Sequence, residues 1–139
     1  MIDEARVRPK IDVFLDIRGF EEPPTSITQI VGISPDETWS KGDSISGIKT
    51  LRKFSCWKIR ASLTKYSYDV DDYVDDIVRK ILPAAAAIKR IKNANVMLCI
   101  WITLHASGRV PSICFHPNIM RALSDIDAEI DIDISVLPD

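Results

Sequence analysis

Alternation of apolar and polar residues marks out four strands. In "IDVFLDIRGF", Ile11, Val13, Leu15 and Ile17 fall on one side, and Asp12, Phe14, Asp16 and Arg18 on the other. "FSCWKIRASL" turns Trp57, Ile59, Ala61 and Leu63 inward and Lys58 and Arg60 outward. "NVMLCIWITLH" sets Val96, Leu98, Ile100, Ile102 and Leu104 against Met97, Cys99, Trp101 and Thr103. Near the C-terminus, "DIDAEIDIDISV" predicts a strand with Ile130, Ile132, Ile134 and Val136 in the core and Glu129, Asp131 and Asp133 outside. A turn at Ser107-Gly108 makes "VPSICFH" the expected hairpin partner of the third strand.

Helical periodicity separates these strands. Val70, Tyr73, Val74, Ile77, Val78, Ile81 and Leu82 form one buried stripe at i, i+3, i+4 spacing. Asp71, Asp72, Asp75 and Asp76 lead that helix, while Arg79 and Lys80 follow, an order that suits the helix dipole and allows Asp75–Arg79 and Asp76–Lys80 pairs. Pro83 restarts the helix, which the alanine run should carry to Asn93. "PPTSITQIVG" predicts a short helix with Ser26 and Gln29 at capping-box spacing and Gly32 as C-cap. "PNIMRALSDI" predicts another, with Pro117 at its first position. Residues 33–47 should be mostly loop with short extended pieces.

This order predicts a single α+β domain over residues 1–139: two layers, with a mainly antiparallel sheet and helices on one face. The leading elements have the βαββαβ order of a ferredoxin-like split βαβ unit, followed by a C-terminal β-α-β extension. At 139 residues the chain can bury a core without disulfides or metal. Three widely spaced cysteines, Cys56, Cys99 and Cys114, suit reduced and mostly buried thiols in a cytoplasmic protein. The charged "MIDEARVRPK" lacks the apolar core of an export signal. "VMLCIWITL" falls well short of the roughly 20 residues of a membrane-crossing helix. A net charge of −2 gives no overall pull towards nucleic acid or membrane, so neither is an expected partner.

The polar sides of the strands carry the more specific information. Phe14, Arg18, Lys58, Arg60, Met97, Trp101, Glu129, Asp131 and Asp133 share the sheet face opposite the predicted helices. Large apolar groups with a charged rim mark an association surface. A competing reading has residues 33–55 folding over this face, or Lys58 and Arg60 pairing internally with the acids.

Motifs for chemistry are weak. "GDSISGIKT" approaches a P-loop, but Ile48 intrudes before Lys49 and the flanking strand and helix are missing. His105, Cys99, Cys114 and His116 lack paired zinc-ligand spacing, so Cys114 is read as a core thiol and His116 as a capping or loop residue. No nucleophile–base signature stands out. Lys49, Arg52 and Lys53 lack the interleaved aromatics of a nucleic-acid surface. An EF-hand starting at Asp125 fails, because Ile130 and Val136 stand where glycine and glutamate are required. No catalytic residue, metal or cofactor is therefore expected. The loop at Trp39, Lys41, Gly42 and Asp43 is a candidate anion or ligand site, since turn amides with a lysine can hold an anion and Trp39 can wall a pocket.

"FLDIRG", "GISPDETWSKGD", "WKIRAS" and "FHPNIMRALSDIDAEIDIDI" together resemble the bacterial domain-of-unknown-function family 4279 over nearly the whole chain. The most specific positions are Gly32, Pro35, Lys41, Gly42, Asp43, Trp57 and the C-terminal helix and acidic strand. The resemblance implies one cytoplasmic bacterial domain and carries over no reaction, cofactor or site residue. The leading functional expectation is a non-enzymatic interaction module, a homodimer or a binder of another protein, of immunity type by analogy with other small proteins. The alternative is a small-molecule or anion-binding protein, or a cryptic enzyme, using the Trp39–Asp43 loop.

Overall fold

β1 (Lys10–Arg18) runs through the middle of the sheet and organises the rest. The computed structural model describes residues 8–138; residues 1–7, within the stretch read above as lacking an export signal, lie outside the described residues. After β1 come α1 (Pro24–Val31), β2 (Glu37–Trp39), β3 (Cys56–Arg60) and α2 (Val70–Ile81). A 3₁₀ turn (Leu82–Ala84) leads into α3 (Ala85–Lys89), β4 (Asn95–His105), α4 (Pro117–Asp125) and β5 (Glu129–Leu137).

The described residues form one open five-stranded sheet in the order β2-β3-β1-β4-β5. β1 pairs antiparallel with β3 and β4, β2 pairs antiparallel with β3, and β5 runs parallel to β4. The first four strands thus have the order and directions of the split βαβ unit, and β4-α4-β5 adds a parallel extension. The sheet is mixed, and the fold is α+β as expected.

One face carries the core. Val13, Leu15 and Ile17 meet Trp57 and Ile59 on one side and Val96, Leu98, Ile100 and Ile102 on the other. Above them pack Ile27 and Val31 of α1, the Val70–Ile81 stripe of α2, Ile88 of α3, and Ile119 and Leu123 of α4. Each fully buried Leu or Ile contributes about 1.5–3 kcal/mol by leaving water, which offsets the entropy of ordering the chain. The Trp57 indole N–H donates to Thr28 Oγ1 at 3.0 Å, so α1 is pinned to β3 by a polar bond within the packed layer. β1 ends at Gly19 (φ +84°), where a Cβ would lie 2.9 Å from the carbonyl oxygen of Asn93. Only glycine allows that approach without backbone movement.

The predicted pairs in α2 form, with Arg79–Asp75 at 3.5 Å and Lys80–Asp76 at 2.9 Å. Pro83 restarts the chain as a 3₁₀ turn, and Pro117 opens α4. Other local expectations are corrected. Ser26 does not cap α1: the helix begins at Pro24 behind Pro23, which puts Ser26 inside the first turn. The alanine helix stops at Lys89, short of Asn93, whose φ of +59° ends any helical continuation. "VPSICFH" forms no hairpin with β4, because both sides of β4 are taken by β1 and β5. Ser112 bonds instead to the backbone before α2, donating to Tyr68 O and accepting from Val70 N–H, each at 2.8 Å.

The largest correction concerns β5. Ile130, Ile132, Ile134 and Val136 were expected in the core but are 41–61 % exposed. They point to the helix side of the sheet, beside Leu98, Ile100, Ile102 and Leu104. The helix layer ends over β4, and among the described residues α4 only borders the strand beyond it, at Ile130.

Candidate functional site

Strand register gathers the predicted interaction face. Phe14 lies beside Arg60 and Cys99, Asp16 beside Lys58 and Met97, and Trp101 beside Asp12 and Asp133. Met97 and Cys99 lie beside Glu129 and Asp131. Arg18 closes one end, next to Cys56 and Asn95. Because side chains alternate along paired strands, all these residues point away from the helices. The face has two halves with different physics.

Over β3 and β1 the face is closed by its own side chains. Phe14, expected at the surface, is fully buried. Trp101 packs edge-on against it at 4.9 Å between centroids, with the rings at 86°. Lys58 Nζ lies 4.4 Å from the Phe14 centroid and the Arg60 guanidinium 5.6 Å, so two cations cap the ring's negative face. Asp16 is also fully buried. Its Oδ2 accepts from Arg18 Nη2 at 2.6 Å and Nε at 3.1 Å. Lys58, itself nearly buried, lies 3.9 Å from Asp16 Oδ1 and 3.8 Å from Glu37. Arg60 lies 3.7 Å from Asp12. Arg18, Lys58 and Arg60 are thus matched to β1 and β2 acids, while Lys10, on the same face beside Thr103, is exposed and forms no salt bridge among the described residues. The internal-pairing reading holds here, although the acids concerned are those of β1 and β2 rather than β5.

The thiols in this half are poor nucleophiles. Burial first, and the neighbouring Asp16 carboxylate second, push Cys56 up to about 12 and Cys99 up to about 11. Both are protonated at neutral pH, and only a thiolate attacks.

Over β4 and β5 the face is open. Trp101 is 46 % exposed although its ring rests on Phe14. Met97 is half-buried, and all nine residues of β5 are exposed. Among the described residues no cation forms a salt bridge to Glu129, Asp131 or Asp133. Behind β5, Met120, Leu123, Ser124, Asp127, Ala128 and Ile130 line a groove of about 420 Å³ between α4 and the strand, with Met120 half-exposed. The aliphatic row of β5 and Met120 were missed as surface residues. The available signal was topological: β1 occupies one side of β4, so a strand returning through α4 must form the sheet edge.

The Trp39–Asp43 loop is a tied turn. Trp39 Nε1 donates to Phe54 O at 2.9 Å, and the Arg52 guanidinium lies 3.9 Å over the indole. The Ser40 amide donates to the Asp43 carboxylate, Lys41 to Ser55 Oγ, Gly42 to Arg52 O and Asp43 to Ser40 O. The amides expected to receive an anion are therefore occupied within the chain. Beside the turn, Gly19, Glu21, Lys41, Lys53, Phe54 and Ser55 line a cleft of about 380 Å³.

His116 is the N-cap residue of α4 and its Nε2 lies 3.2 Å from Asp71 of α2, a surface contact between two helix starts. Cys114, expected in the core, is exposed. Among the described residues no group of three or more His, Cys, Asp or Glu is placed to hold a metal ion, and no helix is long and apolar enough to cross a membrane.

Comparison with known proteins gives one match. The family model described as "Domain of unknown function (DUF4279)" covers residues 9–137. No curated protein and no solved structure matches the chain.

Proposed function

The chain belongs to the DUF4279 family, and from that premise we propose that it is a non-enzymatic interaction domain that docks another protein on Trp101 and β5. The observation that carries this reading is a nine-residue strand, paired with β4 along its whole length, that is exposed on both faces. Half-buried strands in small domains normally give one face to the core. Here that face ends in a row of four aliphatic residues at the sheet edge, and the opposite face offers an exposed indole together with three acids that form no salt bridge among the described residues. Aromatic and aliphatic anchors within a polar rim are the composition of a binding surface. A partner that is a toxin would make the domain immunity-type, and the compartment of the encounter would be the cytoplasm.

Quantitative co-purification from the source cells tests the reading. A tagged wild-type chain should enrich a protein that is lost with Trp101→Ala combined with Ile132→Thr and Ile134→Thr. The variant's unfolding midpoint must stay near that of the wild type. Identical co-purification by the two folded chains would refute the docking site.

One observation favours a second reading, a small-anion binder. The cleft beside Lys41 also contains Lys53, so two ammonium groups rather than turn amides would hold the ligand. A melting screen against inorganic phosphate and small carboxylates should then find a stabiliser that Lys41→Ala with Lys53→Ala abolishes.

A further inference from the structure

We infer that the occupant of β5 is a partner strand alternating aliphatic with basic residues, which pairs with the strand's free edge and extends the sheet. This rests on the docking reading above and specifies its chemistry. Among the described residues β5 is the last strand of the sheet and pairs only with β4, so its outer edge presents a row of backbone donors and acceptors. Its pairing with β4 runs without a bulge from Glu129 to Leu137, and the strand contains no proline or lysine; its charged side chains are the acids Glu129, Asp131 and Asp133, which oppose an acidic neighbour and leave a basic one acceptable. Such an edge accepts an added strand, main-chain bonds giving affinity and alternate side chains giving specificity.

The two rows of β5 select that strand. Ile130, Ile132, Ile134 and Val136 call for aliphatic neighbours on the helix side. On the other side Glu129, Asp131 and Asp133 form no salt bridge among the described residues: Arg18, Lys58 and Arg60 are engaged by Asp16, Glu37 and Asp12, and Lys10 stands on β1, two strands away beside Thr103. Opposite charges across paired strands stabilise, and like charges directly opposite destabilise. A second copy of the chain meets this criterion less well than a basic strand, because no self-pairing register gives the acids a cation. Antiparallel self-pairing sets Asp133 opposite Asp133 when centred on Asp133 and Asp131 opposite Asp133 when centred on Ile132; centred on Ile134 it sets Asp133 opposite Ser135 and Asp131 opposite Leu137, which avoids repulsion but leaves both acids without a cation. Lysine or arginine at alternate positions removes the conflict.

Amide hydrogen exchange by NMR tests the inference, with an acetylated nonapeptide alternating Lys and Val as probe and a Glu–Val nonapeptide as control. The Lys–Val peptide should slow exchange of the outward-facing β5 amides about tenfold or more at saturation and leave β2 unchanged. Asp131→Lys with Asp133→Lys should abolish the protection. If that variant loses its fold, Asp131→Asn with Asp133→Asn should weaken binding and flatten its salt dependence. No protection, equal protection by the Glu–Val peptide, protection at β2 instead, or concentration-dependent protection of β5 without peptide would each overturn it. A partner lost with the Trp101 and aliphatic substitutions but unaffected by Asp131→Lys with Asp133→Lys would overturn this inference and leave the docking reading intact.

Discussion

Ile132 stands beside Ile100 in the parallel ladder of β5 and β4, yet Ile100 is fully buried and Ile132 is 41 % exposed. One strand spacing, about 4.8 Å, separates the protein's core from its surface. The two residues are chemically identical, so the difference lies in the helix layer, which stops over β4. Ile100→Ala should cost about 3 kcal/mol, through lost burial and a cavity. Ile132→Thr, which keeps the β-branch, should change stability by less than about 0.5 kcal/mol. Urea unfolding of both variants measures the contrast.

Asp16 should behave as a structural charge. Removing one member of a buried ion pair strands the other, so Asp16→Ala is expected to cost about 3 kcal/mol by leaving Arg18 without its carboxylate and Lys58 with Glu37 alone. Glu37→Ala, at the exposed end of the same network, should cost under about 1 kcal/mol. Denaturant midpoints of the two variants test the ranking.

Asp76 should give acid sensitivity. Desolvation raises its carboxyl, but hydrogen bonds from Lys80 and the Ser62 amide, with the charges of Lys80 and Arg79, outweigh that and hold it below the usual carboxylate range. A depressed folded-state value contributes stability above the unfolded-state value of about 4, and this is lost as pH falls through the folded value. The stability gap between wild type and Asp76→Asn should therefore be largest near neutral pH and shrink below about pH 4. Denaturant titrations across that range report it.

The thiols should divide by burial. Cys114 is exposed, while Cys56 and Cys99 are buried and pushed up to about 12 and about 11. A chromogenic disulfide reagent at neutral pH should modify Cys114 alone in the native chain and all three thiols in denaturant. Rapid native modification of Cys56 or Cys99 would contradict the burial described.

Much of the architecture is legible in residue patterns. Alternation finds β1, β3, β4 and β5, helical spacing finds α2, and the element order predicts the split βαβ arrangement. Burial is less legible, because alternation says that a strand has two faces without saying which neighbours cover them. Phe14 and Lys58 look exposed by alternation but disappear beneath Trp101 and into an ion-pair network. Ile130 to Val136 look internal by the same rule but emerge at an edge that the helices do not reach. "VPSICFH" has strand composition, but no open side of β4 is left to receive it. Side-chain period is local information. Position across the sheet depends on contacts between residues far apart in sequence.

Photo-crosslinking in living cells tests the docking claim most directly. A photoreactive residue at position 132 or 101 should capture one discrete protein other than the chain itself, while the same group at Lys89 on α3 should not. Capture at Lys89 equal to that at 132 and 101, or crosslinks from those two positions only to a second copy of the chain, would contradict the account.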